Sequence, residues 1–154
     1  MARIEKTIDV DVPRSVAYAQ WTQFEEFPRF MEDVVEVEQL DDRRLLWRTN
    51  VGGKAQEWEA EITYQEPEDR IGWRSTQGAK NSGTVWFETL GATSCRIRLE
   101  MSYEPEGLAE NVGDALGVLS RKVEADLKRF KEFIEARRVP TGAWEGSIRG
   151  GEVR

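Results

Sequence analysis

The chain has 154 residues, with 29 acidic against 22 basic side chains, a formal charge of −7 and no histidine. Without imidazole, Ser-His-Asp and Cys-His catalysis and the usual zinc sites are excluded; no metal and no cofactor are expected. A single cysteine, Cys95, excludes an internal disulfide, and an acidic balance with no basic run argues against a nucleic-acid partner.

The first residues, MARIEKTIDV, carry no apolar leader core, and no apolar run reaches the length of a membrane-spanning helix. A soluble, cytoplasmic protein of one domain is expected. Six tryptophans are enough to fill its core or to line a pocket within it.

Residues 4–12 alternate Ile4, Lys6, Ile8, Val10 and Val12 against charged or polar neighbours, which predicts a half-buried strand with Lys6 as its irregular member. Pro13 then opens a helix, with Asp11 as the expected cap and Val16, Ala17, Ala19, Gln20 and Trp21 carrying the helical pattern. Phe24, Phe27, Phe30 and Met31 recur at helical spacing around Pro28, so a second short helix with a core-facing aromatic cluster is expected over 24–31.

From Val34 the period becomes two. Val35 and Val37 begin a strand, Asp41-Asp42 marks a turn, and 44–51 with 54–65 form a hairpin closed by Gly52-Gly53. That turn sets the register. Trp47 faces Trp58, Leu45 faces Ala60 and Thr49 faces Gln56 on one side, while Arg48 faces Glu57 and Arg44 faces Glu61 on the other.

Beyond the Pro67-Glu68-Asp69 turn, the strand 70–76 sets Ile62 against Trp73, Ala60 against Ser75 and Glu61 against Arg74. The row Glu57, Glu59, Glu61 has the look of a metal or acid–base cluster, but alternation puts it opposite the tryptophans, on a solvated face. After the loop 77–82, residues 83–90 and 94–103 form the last hairpin, with Glu88 against Arg96 and Trp86 against Arg98 as a cation–π pair. Cys95, Ile97, Leu99, Met101 and Tyr103 point inward; with no histidine beside it, Cys95 is expected to be inert. VGGK at 51–54 lacks phosphate-loop spacing and is a hairpin turn.

A long amphipathic helix is predicted over 108–136, with Val112, Leu116, Leu119, Val123, Leu127, Phe130 and Ile134 on its apolar face. At roughly 40 Å it must lie along a large apolar surface. Gly113 and Gly117 in its first half predict close packing or a cavity wall there. A meander of strands, each with one apolar face, has only this helix to bury that face on, so the sheet is expected to curl around it. Residues 1–138 then form the domain, and 139–154, rich in glycine, are expected to be a mobile tail.

The passages IDVDVPRSVAYAQWTQFEEFPRFM (8–31), EWEAEITYQEPEDRIGWRS (57–75) and YEPEGLAENVGDALGVLSRKVEADLKRFKEFIE (103–135), in this order of elements, resemble the polyketide cyclase/dehydrase branch of the START and Bet v1-like superfamily. The resemblance covers roughly residues 2–138. It implies an α+β helix-grip fold: a seven-stranded antiparallel sheet curled around the long C-terminal helix, two short helices after the first strand, and a cavity for lipophilic ligands between sheet and helix.

The strand register places Trp47, Thr49, Gln56, Trp58, Ala60 and Ile62 on that inner face. It adds Tyr64, Ile71, Trp73, Ser75, Val85 and Phe87, and then Ile97, Leu99 and Met101 from the last strand. Val112, Leu116, Leu119 and Val123 face them from the helix. Aromatase members carry a cavity arginine on the strand matching 57–66, where this sequence has Tyr64; Tyr64, Ser75 and Gln56 are the polar candidates for acid or hydrogen-bond chemistry.

Three functions are open to such a chain. One is binding of a hydrophobic, aromatic or lipid-like small molecule. A second is cyclisation or dehydration of a poly-ketone held on an acyl carrier protein. The third is action through a macromolecular partner, as in toxin-like proteins and quinone chaperones of this superfamily.

Overall fold

The computed structural model describes residues 2–51, 53–78, 80–103, 112–144 and 146–153, with all their side chains except those of 2, 51 and 112–116. Alternating residues make β1 (Ala2–Val10), followed by α1 (Arg14–Trp21) and a 3₁₀ helix (Phe24–Arg29). Six strands then run as a meander: β2 (Val34–Gln39), β3 (Arg44–Val51), β4 (Lys54–Glu66), β5 (Arg70–Gln77), β6 (Asn81–Gly91) and β7 (Ser94–Tyr103). The long helix α2 (Val112–Arg137) and two short strands, β8 (Ile148–Arg149) and β9 (Glu152–Val153), complete the chain.

Every pairing is antiparallel, and the strands lie in the order β1-β7-β6-β5-β4-β3-β2. This is the expected α+β architecture, a seven-strand path with a long C-terminal helix, to which β8 and β9 add. The first turns of the predicted long helix, 108–111, lie outside the described residues.

Gly53 supplies the positive φ, +84°, that a two-residue hairpin turn requires. Its partner Gly52 lies outside the described residues. With that turn fixed, Trp47 pairs Trp58, Leu45 pairs Ala60, Thr49 pairs Gln56 and Arg48 pairs Glu57. Across the next strand Ile62 pairs Trp73 and Glu61 pairs Arg74. On the last hairpin Glu88 pairs Arg96, and the Arg98 guanidinium lies 4.0 Å from the Trp86 ring. The acidic row on β4 is taken up by arginines: Glu57 with Arg48 at 3.0 Å, Glu59 with Arg44 at 3.7 Å and Glu61 with Arg74 at 2.6 Å.

Three local expectations are corrected. Pro13 occupies the N-cap of α1 at φ −60° and ψ 152°, and Asp11 does not cap; its backbone N–H instead donates to Glu135 Oε2 at 2.7 Å, tying the end of β1 to α2. The pairing of β4 with β5 shifts between Ile62 and Tyr64, so that Thr63 is an extra residue and Tyr64 pairs Gly72. An extra residue exchanges the two faces for the rest of the strand. Tyr64 therefore turns outward under the Arg70 guanidinium, 4.0 Å from its ring, while Gln65 turns inward and is buried.

The third correction concerns the segment after 138. It packs on the domain. Gln20, fully buried in α1, donates from Nε2 to Thr141 Oγ1 at 3.0 Å and accepts the Thr141 N–H at 2.8 Å. Trp144 packs against the core, β8 pairs Tyr64 and Gln65 of β4, and Ile148 is fully buried. The bulge at Thr63 belongs to the same device, because its carbonyl accepts the Gly151 N–H at 2.9 Å. Replacing Gln20 by Ala strips the partly buried Thr141 N–H of its acceptor and should lower stability by roughly 1 to 2 kcal/mol in urea unfolding. An unchanged midpoint would mean that the clasp contributes nothing.

The core has two parts. At the α1 end, Trp21, Phe27, Phe30, Phe87 and Phe130 make mostly edge-on ring contacts between 4.9 and 6.0 Å. Leu127, Phe130 and Ile134 of α2 are buried there. Around Leu119 and Val123, in the middle of α2, the packing opens.

Candidate functional site

Between the inner face of the sheet, the 3₁₀ helix and the middle of α2 lies a cavity of about 200 Å³. Its aromatic wall comes from Trp21 of α1, Phe24 and Phe27 of the 3₁₀ helix, Trp47 of β3, Trp58 of β4 and Trp73 of β5. Met31, Val34, Leu45, Ile62, Ile71, Leu99 and Met101 fill the spaces between the rings, and Leu119, Val123, Asp126 and Leu127 of α2 close the top.

Local sequence explains the wall. Trp47 and Trp58 are a cross-strand pair on the inner face, and their rings stack 5.8 Å apart at an interplanar angle of 4°. Trp73 stands opposite Gly83, where a Cβ would come within 2.5 Å of the indole; the glycine lets the ring lie against β6. The Trp73 N–H donates to Asn81 Oδ1 at 2.9 Å, so the polar edge of this lining indole has a partner.

Of the residues placed on the inner face by alternation, Trp47, Trp58, Ile62, Ile71, Trp73, Leu99, Met101, Leu119 and Val123 border the cavity. Ala60, Val85, Phe87 and Ile97 do not; they are buried in close-packed core, where Phe87 meets Tyr18 at 5.6 Å and Trp21 at 6.0 Å. The space in front of Phe87 is filled by Tyr18 and Trp21 of α1. Thr49 is buried away from the cavity, its hydroxyl without a hydrogen-bond partner among the described residues, and Gln56 opposite it is also outside the wall. Ser75 lies past the rim, where its Oγ accepts the Asn81 N–H at 3.0 Å, and Tyr64 is on the outer face. None of the three polar candidates Tyr64, Ser75 and Gln56 therefore borders the cavity. The side chains of Val112 and Leu116 lie outside the described residues. Burial pushes the Cys95 thiol up to about 11, which keeps it protonated and unreactive.

Alternation along the strands did not reveal the contributions from the helical connection, Trp21, Phe24, Phe27 and Met31, nor that of Asp126. The first four had a signal, the aromatic run at helical spacing. Asp126 had one too: it stands three residues after Val123 and seven after Leu119, on the apolar stripe of α2.

Asp126 sits in the wall between the cavity and an outer charged cleft formed by Glu32, Asp33, Arg121, Lys122 and Arg129. Its Oδ1 accepts from Arg129 Nη1 at 2.6 Å and from the Glu32 N–H at 3.4 Å. Arg129 also pairs Glu32 at 2.7 Å, and Lys122 pairs Asp33, so the 31–34 connection is held to α2. Burial pushes the Asp126 carboxyl up to about 6, against the pull of the Glu32 N–H and Arg129; the charges of Asp33 and Glu32 add to the rise.

No helix among the described residues is long and apolar enough to cross a membrane. The family model described as "Polyketide cyclase / dehydrase and lipid transport" matches residues 10–132. An uncharacterized 17.2 kDa protein of the melC2-rnhH intergenic region of Streptomyces lincolnensis is 43% identical over 149 residues, covering 96% of this chain and 99% of its own. The crystal structure of a Deinococcus radiodurans protein is similar at 30% identity and a TM-score of 0.71, over 89% of this chain and 99% of that one. The Zhui aromatase/cyclase of Streptomyces sp. R1128 shares the fold, with a TM-score of 0.77 at 17% identity over 93% of this chain and 99% of its own. With its antiparallel sheet, long C-terminal helix and a family match over most of its length, the chain belongs to the polyketide cyclase/dehydrase and lipid transport family, of the START and Bet v1-like fold.

Proposed function

We propose that the protein binds a small aromatic molecule in the cavity between the sheet and α2. The observation that carries this reading is the wall itself: four tryptophans and two phenylalanines around open space, with no lysine or arginine among the described lining residues. Apolar walls with a few placed polar groups are the ordinary make-up of a ligand pocket. A cavity of about 200 Å³ has room for one or two fused rings.

Cyclisation of a carrier-bound poly-ketone draws less support, because Tyr64, Ser75 and Gln56 stand outside the wall. Native mass spectrometry of the purified protein, followed by solvent extraction, tests the binding reading. A co-purifying aromatic, or a 1:1 adduct with an added naphthalene, is the expected result. Protein that stays empty against one- and two-ring aromatics would defeat it.

A further inference from the structure

Resting on that reading, we infer that Asp126 is the polar anchor of the cavity: it accepts a hydrogen bond from a hydroxyl carried by an otherwise apolar aromatic ligand, and it turns away ligands that carry a carboxylate. Two described lining side chains outside the indoles have strongly polar atoms, Asn81 and Asp126. Asn81 is engaged, its Oδ1 with the Trp73 indole and its backbone N–H with Ser75. Asp126 is half engaged. Its Oδ1 takes both the Arg129 guanidinium and the Glu32 N–H, which belong to the outer cleft, and its Oδ2 accepts no hydrogen bond among the described residues.

An ionised carboxylate with an open oxygen beside an aromatic wall is a strong acceptor for a phenolic O–H, since hydrogen bonds to a charged partner are shorter and stronger than neutral ones. The same oxygen repels an anion. With no cationic side chain among the described cavity-lining residues, a ligand carboxylate would lose its water and meet the Asp126 carboxylate, while Arg129 is already committed to Asp126 Oδ1 and Glu32. The raised titration of Asp126 agrees with this setting, because it reports a carboxyl placed against apolar surroundings.

A ligand series on the intact chain at pH 8 tests the anchor before any variant is made. By competition calorimetry, 2-naphthol should bind about 10- to 100-fold more tightly than 2-methylnaphthalene, which has the same shape and no donor, and 2-naphthoate should bind more weakly than either. In Asp126→Leu the preference for naphthol over methylnaphthalene should disappear and the penalty on naphthoate should shrink. Equal or reversed affinities for naphthol and methylnaphthalene in the unmodified protein, or a preference that survives in Asp126→Leu, would overturn the anchor and leave the cavity reading standing. No binding of any of the three would overturn both.

Discussion

Phe130→Ala should lower the free energy of unfolding by roughly 3 to 5 kcal/mol, the range for deleting a fully buried aromatic ring. Phe130 is fully buried, with its ring 4.9 Å from Trp21 and 5.1 Å from Phe30, so no neighbour can refill the space without leaving its own contacts. Trp58→Ala, though it removes a larger ring, should cost only about 1 to 2 kcal/mol. One face of Trp58 stacks on Trp47 and the ring borders open volume, so its deletion enlarges a cavity already present. Urea unfolding of the two variants compares them directly. Equal losses would mean that the tryptophan wall is close-packed core, and the cavity would fall as a binding site.

The second large effect is a stabilisation that builds as pH rises from about 4 through 6 and is complete above pH 7. Asp126 has a folded pKa of about 6 against 3.8 for the free group. A carboxyl raised in this way favours the fold while it is neutral; that contribution is complete below about pH 4 and is lost as pH rises toward 6 and beyond. Above pH 7 the ionised group should cost about 2 to 3 kcal/mol, since each pH unit between the two pKa values corresponds to about 1.36 kcal/mol. The opposing pull of Arg129 is already contained in that figure.

Asp126→Asn keeps the shape and an acceptor for the Glu32 N–H but has no charge to bury. The variant should therefore match the parent near pH 4 and exceed it in stability at pH 8. Asp9, bonded to Arg96, and Asp41, bonded to Arg44, are held below the usual carboxylate range and oppose this trend, but both are present in parent and variant and cancel in the difference. Paired unfolding curves at the two pH values decide the matter: a difference that does not change with pH would show that Asp126 titrates normally. A group that weakens the fold when ionised is what a binding site tends to contain.

The strand register was legible because two independent signals agreed. The Gly52-Gly53 turn fixed the pairing of β3 with β4, and that pairing alone separated Trp47 and Trp58 from Arg48 and Glu57. The bulge at Thr63 left no such trace, since an extra residue changes the side on which each later residue lies without changing composition. Tyr64 was misplaced for that reason alone. Phe87 and Ile97 face inward as alternation requires, yet whether an inward residue meets open space or a neighbour depends on α1, which lies far from them in sequence. Asp126 was assigned to neither face of its helix, because a charge at an apolar position reads as noise until a neighbouring cavity gives it a purpose.

The short C-terminal hairpin has a consequence for how the molecule meets other copies of itself. β4 is 13 residues long, but β3 accompanies it only as far as Glu61, so the last residues of β4 would show a bare row of amides and carbonyls on that side. Such an edge is a template for strand addition and the seed of disordered aggregates. Ile148 and Arg149 lie along it, and Gly151 seals the Thr63 carbonyl. The end of the chain thus finishes a sheet that its own middle leaves incomplete.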